Sequence, residues 1–500
     1  MEIYTHNFSP GMKITVDKMK ILGITIPTNG KYEDLIKLNY DEKKVKIKNI
    51  IQSWSKRSLT LFGKVTIIKS LIVPQLTYLL SVLPNPGQNY LKDIDSLIFN
   101  FLWDNKPPKI KREVILQKAN QGGLNITDIY TYSKSVKFQW VKKLLDSSFE
   151  SSWKDIIKLR YHIFNQNFIF NCDLNTSDID NITMKDIFWT DLLKFFFELK
   201  TKEKIPLNVD SIIWYNSSLK IEGKTLFYKE LFDNNIIFIK DILDEENKFK
   251  TYDELKNQLN CKLNFLKYFS LISMIKSKNV TNITNAEYRS HLINTILNSK
   301  SLSKEIYNKL SPLENLEVDS IKGISKWKSD METDINFSDV FCNLYLVTND
   351  SKLKNFQYKL LHRTLPTNTF LVKIGIKNSD LCNFCKNDTD SILHYIWLCP
   401  VVKLFWNRVK TWLEEIFDIP IELNMANIVF ITNVNEYPFE IIEFVMLFTK
   451  YYIHCCKWSN NLPTIEVLKA KLKSREKMER SNSIFKDKLK DHEDRWLKLL

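Results

Sequence analysis

The chain has 500 residues, of which 44% are hydrophobic and 13% aromatic, more than one compact core accommodates; length alone points to about two to four domains. An ordinary 26% of charged residues excludes wholesale disorder, and ten Gly with fourteen Pro argue against an all-β chain of tight turns and a Gly-rich nucleotide-binding design. The net charge of +14 is uneven: residues 1–150 hold 23 Lys and Arg against 13 Asp and Glu, residues 151–350 hold 26 against 28, and residues 351–500 hold 23 against 17. Basic ends and a neutral middle are the pattern expected if the ends meet polyanions and the middle is scaffold.

Residues 1–10 lack the apolar stretch of a secretory signal. The longest apolar segments, 65–83 and 439–456, are interrupted by Lys69, Pro74 and Gln75 and by Glu440, Glu443 and Lys450, so no membrane span is expected. The expectation is an intracellular protein, in nucleus or cytoplasm, whose eight cysteines are thiols or metal ligands rather than disulfides.

In chain order, residues 12–26 read as strand–turn–strand, and 32–51 as an amphipathic helix. Residues 59–83 have helical period and are split by Pro74. On one continuous helix, Lys56, Arg57, Thr60 and Lys64 would fall within about 100° of each other as a cationic stripe. A second helix carries Leu91, Ile94, Ile98 and Phe101 on one face, and a proline-stiffened loop then gathers Lys106, Lys109, Lys111 and Arg112. Gly122-Gly123 marks a turn, and 129–145 another helix with Lys134, Lys137, Lys142 and Lys143. Residues 212–221 and 236–242 look strand-like; 252–259, 286–298, 303–310, 440–456 and 464–500 look helical.

The sharpest chemical signal is Cys382, Cys385, His394 and Cys399, spaced C-x2-C-x8-H-x4-C. Three thiolates and one imidazole complete a tetrahedral zinc site with no open position, hence a structural one. His394 lies in an apolar, helical run, and on an ideal helix Cys399 would point about 140° away. Pro400 follows, however, and the residue before proline avoids the α region, so Cys399 can leave the helix and turn back. The alternative is four unrelated residues, since buried free cysteine is common. His454-Cys455-Cys456 reads as core packing. Gly223-Lys224-Thr225 is no phosphate loop, because position 218 is Ser where Gly is required. No adjacent Asp-Asp pair occurs. The cationic stripe and the 106–112 loop are either solvated faces or phosphate contacts, and the charge of the first 150 residues favours phosphate.

Together these segments resemble the C-terminal part of a non-LTR (LINE-type) retrotransposon reverse transcriptase. Lys20-Ile-Leu-Gly23 resembles the strand after the polymerase palm. Trp54 through Lys69 and Pro74 through Tyr78 resemble the thumb, and Phe99 through Trp103, the 109–112 loop, Gly122-Gly123-Leu124 and Lys134 through Trp140 continue the pattern. Trp214-Tyr-Asn216, Asn235-Ile236 and Asp241 match the connecting region more loosely. Leu361-His-Arg363, Leu365-Pro366, the Cys382/Cys385/His394/Cys399 set and Phe405-Trp406 resemble the zinc-binding domain that follows the reverse transcriptase.

The resemblance implies a mainly α fold: a helical thumb bundle, a mixed α/β connector, a small zinc-binding module and C-terminal helices. The expected boundaries are 1–30 for a remnant of post-palm strands, 31–150 for the thumb, 151–350 for the connector, 351–420 for the zinc-binding domain and 421–500 for the C-terminal helices. It implies structural Zn2+ and RNA and DNA as partners, with no membrane and no small-molecule substrate. Lys20, Lys56, Arg57, Lys64, Lys106, Lys109, Lys111 and Arg112 are the expected nucleic-acid contacts. Family members carry a nuclease and a palm with catalytic aspartates; the first nineteen residues here hold only Glu2 and Asp17 as acids. The expectation is therefore a nucleic-acid-binding fragment, inactive as a polymerase on its own. The alternative is a non-enzymatic, zinc-containing protein–protein interaction module.

Overall fold

A computed structural model describes residues 18–160, 172, 174–182, 186–200, 207–259, 263–280, 291–311, 316–331, 335–434, 436–496 and 499. The chain is mostly helical, 63% helix against 4% strand, and the strands of the described residues form two small two-stranded sheets. The mainly α expectation holds. Glu2, Asp17 and the start of the expected 12–26 hairpin lie outside the described residues, as does the beginning of the expected 286–298 helix.

The chain divides into two compact units, each assembled from separated segments. The first comprises Met1–Ile47, Val73–Asp95 and Asp128–Ser311; the second comprises Lys48–Ile72, Ser96–Thr127 and Pro312–Leu500.

The first unit opens with antiparallel strands Lys18–Ile21 and Ile24–Pro27. Leu22 and Gly23 both take positive φ, 48° and 83°, as a two-residue turn matched to strand twist requires. Asn39 fastens the hairpin: its Oδ1 accepts from the Thr25 amide at 2.8 Å and its Nδ2 donates to the Thr25 carbonyl at 2.7 Å. Asn39 sits in a π-helical turn, Lys37–Asp41, so the expected 32–51 helix runs as Tyr32–Ile36, this turn and Glu42–Ser55.

The expected 129–145 helix is two, Ile129–Ser135 and Phe138–Leu145, and its lysines face inward as well as outward. Lys134 is buried against Glu198 at 2.6 Å, and Lys137 is wholly buried. Phe138, Val141 and Leu144 enter a core with helix Ile187–Lys200, Trp214 and helix Leu302–Leu310. Residues 212–221 and 236–242 do pair, Ile213 N to Ile237 O and Ile239 N to Ser211 O, both at 3.0 Å. The pairing is too brief for strands: Lys220–Ile221 is a two-residue strand and Ile239–Ile242 a 3-10 turn. Gly223 turns the Lys220–Ile221/Lys224–Thr225 hairpin at φ +78°, a backbone role and not a phosphate cradle.

The second unit is helical around the segment that carries the cysteines. Helix Lys322–Met331 buries Trp327, whose Nε1 donates to Leu361 O at 2.9 Å. Helices Phe337–Val347 and Ser351–Leu361 pack beside it and beneath Gly122, whose carbonyl accepts from Tyr358 Oη at 3.0 Å. Long helices Pro400–Phe417, Phe439–Ser459 and Ile465–Phe485 follow, then Leu489–Trp496. No single helix among the described residues is long and apolar enough to cross a membrane.

Candidate metal centre

Two local structures bring the four ligands together. The first is a knuckle. Residues 381 and 389 form an antiparallel bridge, Cys382 N donates to Asp388 O at 2.8 Å, and Lys386, at φ +59°, turns the chain back to donate to Cys382 O at 3.0 Å. In that turn the Phe384 amide points at Cys382 Sγ, 3.4 Å away. Two residues between the cysteines are what such a turn allows.

The second is a π turn, His394–Leu398, closed by Cys399 N donating to His394 O at 2.8 Å across five residues. The extra residue per turn returns the chain toward His394 where an α-helix would overshoot. Cys399 then takes extended angles, φ −60° and ψ 127°, before Pro400 starts the next helix. The predicted exit ahead of Pro400 is therefore present, and the π turn is the part the sequence reading missed. Nothing in Ile392 through Leu398 distinguishes a π turn from an α one at the level of hydrophobic period.

The ligand atoms of Cys382, Cys385, His394 and Cys399 all lie within 4.8 Å of one another. Cys382 Sγ and Cys399 Sγ are 4.0 Å apart, and Cys385 Sγ is 3.3 Å from His394 Nε2. Zinc bonds of ordinary length at tetrahedral angles give about 3.8 Å between sulfurs and about 3.6 Å between sulfur and nitrogen. The residues fit the ion. Cys382, Cys399 and His394 are buried and Cys385 half-buried, so the site is closed. The Cys399 thiol is held below its ordinary value, first by a hydrogen bond from Cys382 and further by the Val402 and Val401 amides at the helix N-terminus. Cys382 is pushed up by that same bond and by burial.

Around the ligands lies a buried polar shell that the sequence reading did not find. Asp390 Oδ2 accepts from the Asn368 amide at 2.6 Å and from Lys457 Nζ at 2.6 Å. Asn383, inside the knuckle, donates to Lys457 O at 2.8 Å, which ties the knuckle to helix Phe439–Ser459. Trp406 Nε1 donates to Ile396 O at 2.8 Å and steadies the π turn. His454 lies between Tyr395 Oη and Trp458 Nε1, both at 3.2 Å, and Cys456 is buried, so these two pack as expected, whereas Cys455 is exposed and not part of the core.

The cationic residues are placed less uniformly. Lys20 is exposed on the first hairpin of the first unit. Within the second unit, Lys56 and Arg57 are exposed, with the Arg57 guanidinium 4.2 Å from the Trp54 ring centroid. The expected stripe is not a helix face, because residues 56–60 are non-helical and Thr60 caps the next helix, its Oγ1 accepting from Gly63 N at 3.1 Å. Lys64 is corrected as well. It is 4% exposed and its ammonium is engaged by Asp104 at 2.6 Å and the Leu102 carbonyl at 3.2 Å, so its charge serves packing and not an external phosphate. Lys106, Lys109 and Lys111 are exposed along the loop, which Ile110 pins to the core. Arg112 is half-buried, 4.4 Å over the Phe99 ring.

Fold and site thus define a mainly helical protein with a closed Cys3His cluster whose ligand atoms are placed to hold a metal ion. Residues 324–406, which contain all four ligands, match a protein family described as zinc-binding in reverse transcriptase.

Proposed function

We propose that this chain is the nucleic-acid-holding part of a LINE-type non-LTR retrotransposon reverse transcriptase, with one structural zinc ion held by Cys382, Cys385, His394 and Cys399. The observation that carries the reading is the convergence of these four ligand atoms within 4.8 Å inside a segment matching a zinc-binding family of reverse transcriptases. Bound zinc would cross-link the knuckle to the start of helix Pro400–Phe417, and the binding energy of such a site is folding energy. The exposed Lys56, Arg57, Lys106, Lys109 and Lys111 supply charge for RNA or DNA backbones, without base selectivity.

Elemental analysis of protein purified without chelator should find one zinc per chain, and Cys399→Ser should abolish it; no zinc in the unaltered protein overturns the metal reading. Binding to single-stranded RNA and DNA should weaken steeply with salt. Salt-independent binding, or none, would favour the protein–protein module. On this reading the chain holds nucleic acid and does not itself polymerise: the sequence has no adjacent Asp-Asp pair of the kind that holds catalytic metals. Primer extension by the pure chain on an annealed RNA template should give no product.

A further inference from the structure

Where the knuckle meets the end of helix Phe439–Ser459, hydrogen bonds gather residues that the metal does not need around one exposed ring. Trp458, in the last turn of that helix, is 40% exposed, and its Nε1 donates to His454 Nε2 at 3.2 Å, which fixes the ring. Asn460 ends the helix at φ +52°. Asn383, between Cys382 and Cys385, donates to Asn460 Oδ1 at 3.0 Å and accepts from Asn368 Nδ2 at 2.6 Å. Asn368 Oδ1 in turn accepts from Lys377 Nζ at 2.8 Å, and that ammonium lies 5.5 Å from the Trp458 ring centroid. A chain of three amides thus sets one ammonium beside one exposed indole. The other ammonium near the ring, Lys457 at 5.0 Å, is buried and paired with Asp390. Lys377 is half-buried on the neutral Asn368, and among the described residues no carboxylate pairs with it. Across residues 368–389, Lys373, Lys377 and Lys386 stand against Asp380 and Asp388, so the balance of charge around the ring is positive.

We propose that Trp458 and Lys377 form a one-nucleotide subsite for single-stranded RNA or DNA, the indole stacking on the base and the ammonium meeting that nucleotide's phosphate. The subsite rests on the nucleic-acid function proposed above and gives it a place on the zinc-bearing segment. Every base has a flat π face, so an exposed aromatic ring beside a fixed cation holds an unpaired strand with little regard to sequence. The strand must be unpaired, because the bases of a duplex are already stacked on one another. An apolar protein surface laid over Trp458 would bury the Lys377 charge without a partner, at a cost in desolvation that a phosphate avoids. RNA and DNA share both the stacking face and the phosphate, so both should use the site.

The test uses the full, zinc-loaded chain and a labelled single strand, as RNA and as DNA, with duplex DNA for comparison, followed by anisotropy across a salt series. Trp458→Leu should bind either single strand about 10-fold more weakly, as the loss of one stacked base requires, and should keep the slope of log affinity against log salt. Lys377→Met should reduce that slope by about 1. Trp458→Phe, which keeps an aromatic face, should retain most of the affinity, and duplex binding should be the same for all three variants. An iodouracil-substituted strand irradiated on the unaltered protein should cross-link to the peptide that carries Trp458, a readout independent of how any variant folds. Unaltered affinity in Trp458→Leu, equal losses for single strand and duplex, or a cross-link confined to other peptides overturns the subsite while the wider reading stands. If the unaltered chain binds no nucleic acid, both are overturned and the exposed indole falls to the protein–protein alternative.

Discussion

Asp390 Oδ2 lies 2.6 Å from Lys457 Nζ, with neither side chain exposed. The pair joins the segment between the two ligand-bearing turns to helix Phe439–Ser459, and the Asn368 amide completes the carboxylate's shell at 2.6 Å. A buried ion pair adds little net stability relative to apolar residues, because desolvation offsets attraction. Its value is positional: it fixes which surface of the helix the knuckle faces.

Breaking it from one side should therefore be costly. Asp390→Ala leaves Lys457 buried without its counter-charge and the Asn368 amide without its acceptor; the expected loss is about 3–5 kcal/mol. Asp390→Asn keeps an acceptor for Asn368 and should lose less. Urea unfolding of the zinc-loaded protein measures both, and equal, small losses would mean that the pair is dispensable.

His362 links acid stability to the Gly122 turn. Burial pushes its pKa from 6.5 down to about 4, and its Nε2 donates to Gly122 O at 2.9 Å. Its folded pKa lies below its unfolded one, so between pH 6.5 and 4 the unfolded chain takes up a proton that the folded chain does not. Stability from this site is complete above pH 6.5 and is lost as pH falls toward 4. His362→Gln retains a donor for Gly122 O without the titration. Its melting temperature should fall less steeply from pH 7 to pH 4 than that of the unaltered protein; parallel curves would show that His362 does not govern this window.

Much of this was legible in the sequence where the signal is local and chemical. The spacing of Cys382, Cys385, His394 and Cys399 identifies the ligand set because few structures other than a metal site require it. The break at Pro74 follows from backbone sterics alone. Charge was legible only as a total. Lys64 read as a nucleic-acid contact, yet it is buried on a carbonyl supplied by a distant residue, as Lys134 and Lys137 are on a carboxylate and on carbonyls. Asp390 and Lys457, 67 residues apart, carry no mutual signal at all.

Gly122 and Gly123 are a place where packing leaves no room for a side chain. Gly122 has φ +77°, and a Cβ there would stand 2.7 Å from Ile321 Cδ1 and 3.1 Å from the Phe341 ring. At Gly123 a Cβ would stand 2.0 Å from the Gln117 carbonyl oxygen, which is backbone and cannot swing aside. Gly123→Ala should cost about 3 kcal/mol or more. Gly30→Ala is the comparison: its φ is +65° but the surroundings are open, so only backbone strain of about 1 kcal/mol is expected. Thermal melts of the two variants should rank in that order, and a mild Gly123→Ala would show that the 117–123 loop can shift.

Lys137 makes the corresponding prediction for the first unit, at the other end of the pH range. Its ammonium donates to Leu80 O at 2.6 Å and also to Leu83 O, the carbonyls that helix Pro74–Val82 leaves unpaired at its end. Burial lowers its pKa from 10.5 to about 7, with the Asp191 carboxylate acting in the opposite direction. Between pH 7 and 10.5 the unfolded chain holds a proton there that the folded chain has released, so this residue makes stability rise with pH across that window. Lys137→Met fills the space but strands both carbonyls, at a cost of about 1–3 kcal/mol each. It should also flatten the rise in melting temperature between pH 7 and 9, and the comparison with unaltered protein cancels every other group titrating there. A variant that melts lower but keeps the full rise would confirm the capping role and assign the titration to another residue. A variant that melts at the unaltered temperature would show that the two carbonyls find other donors.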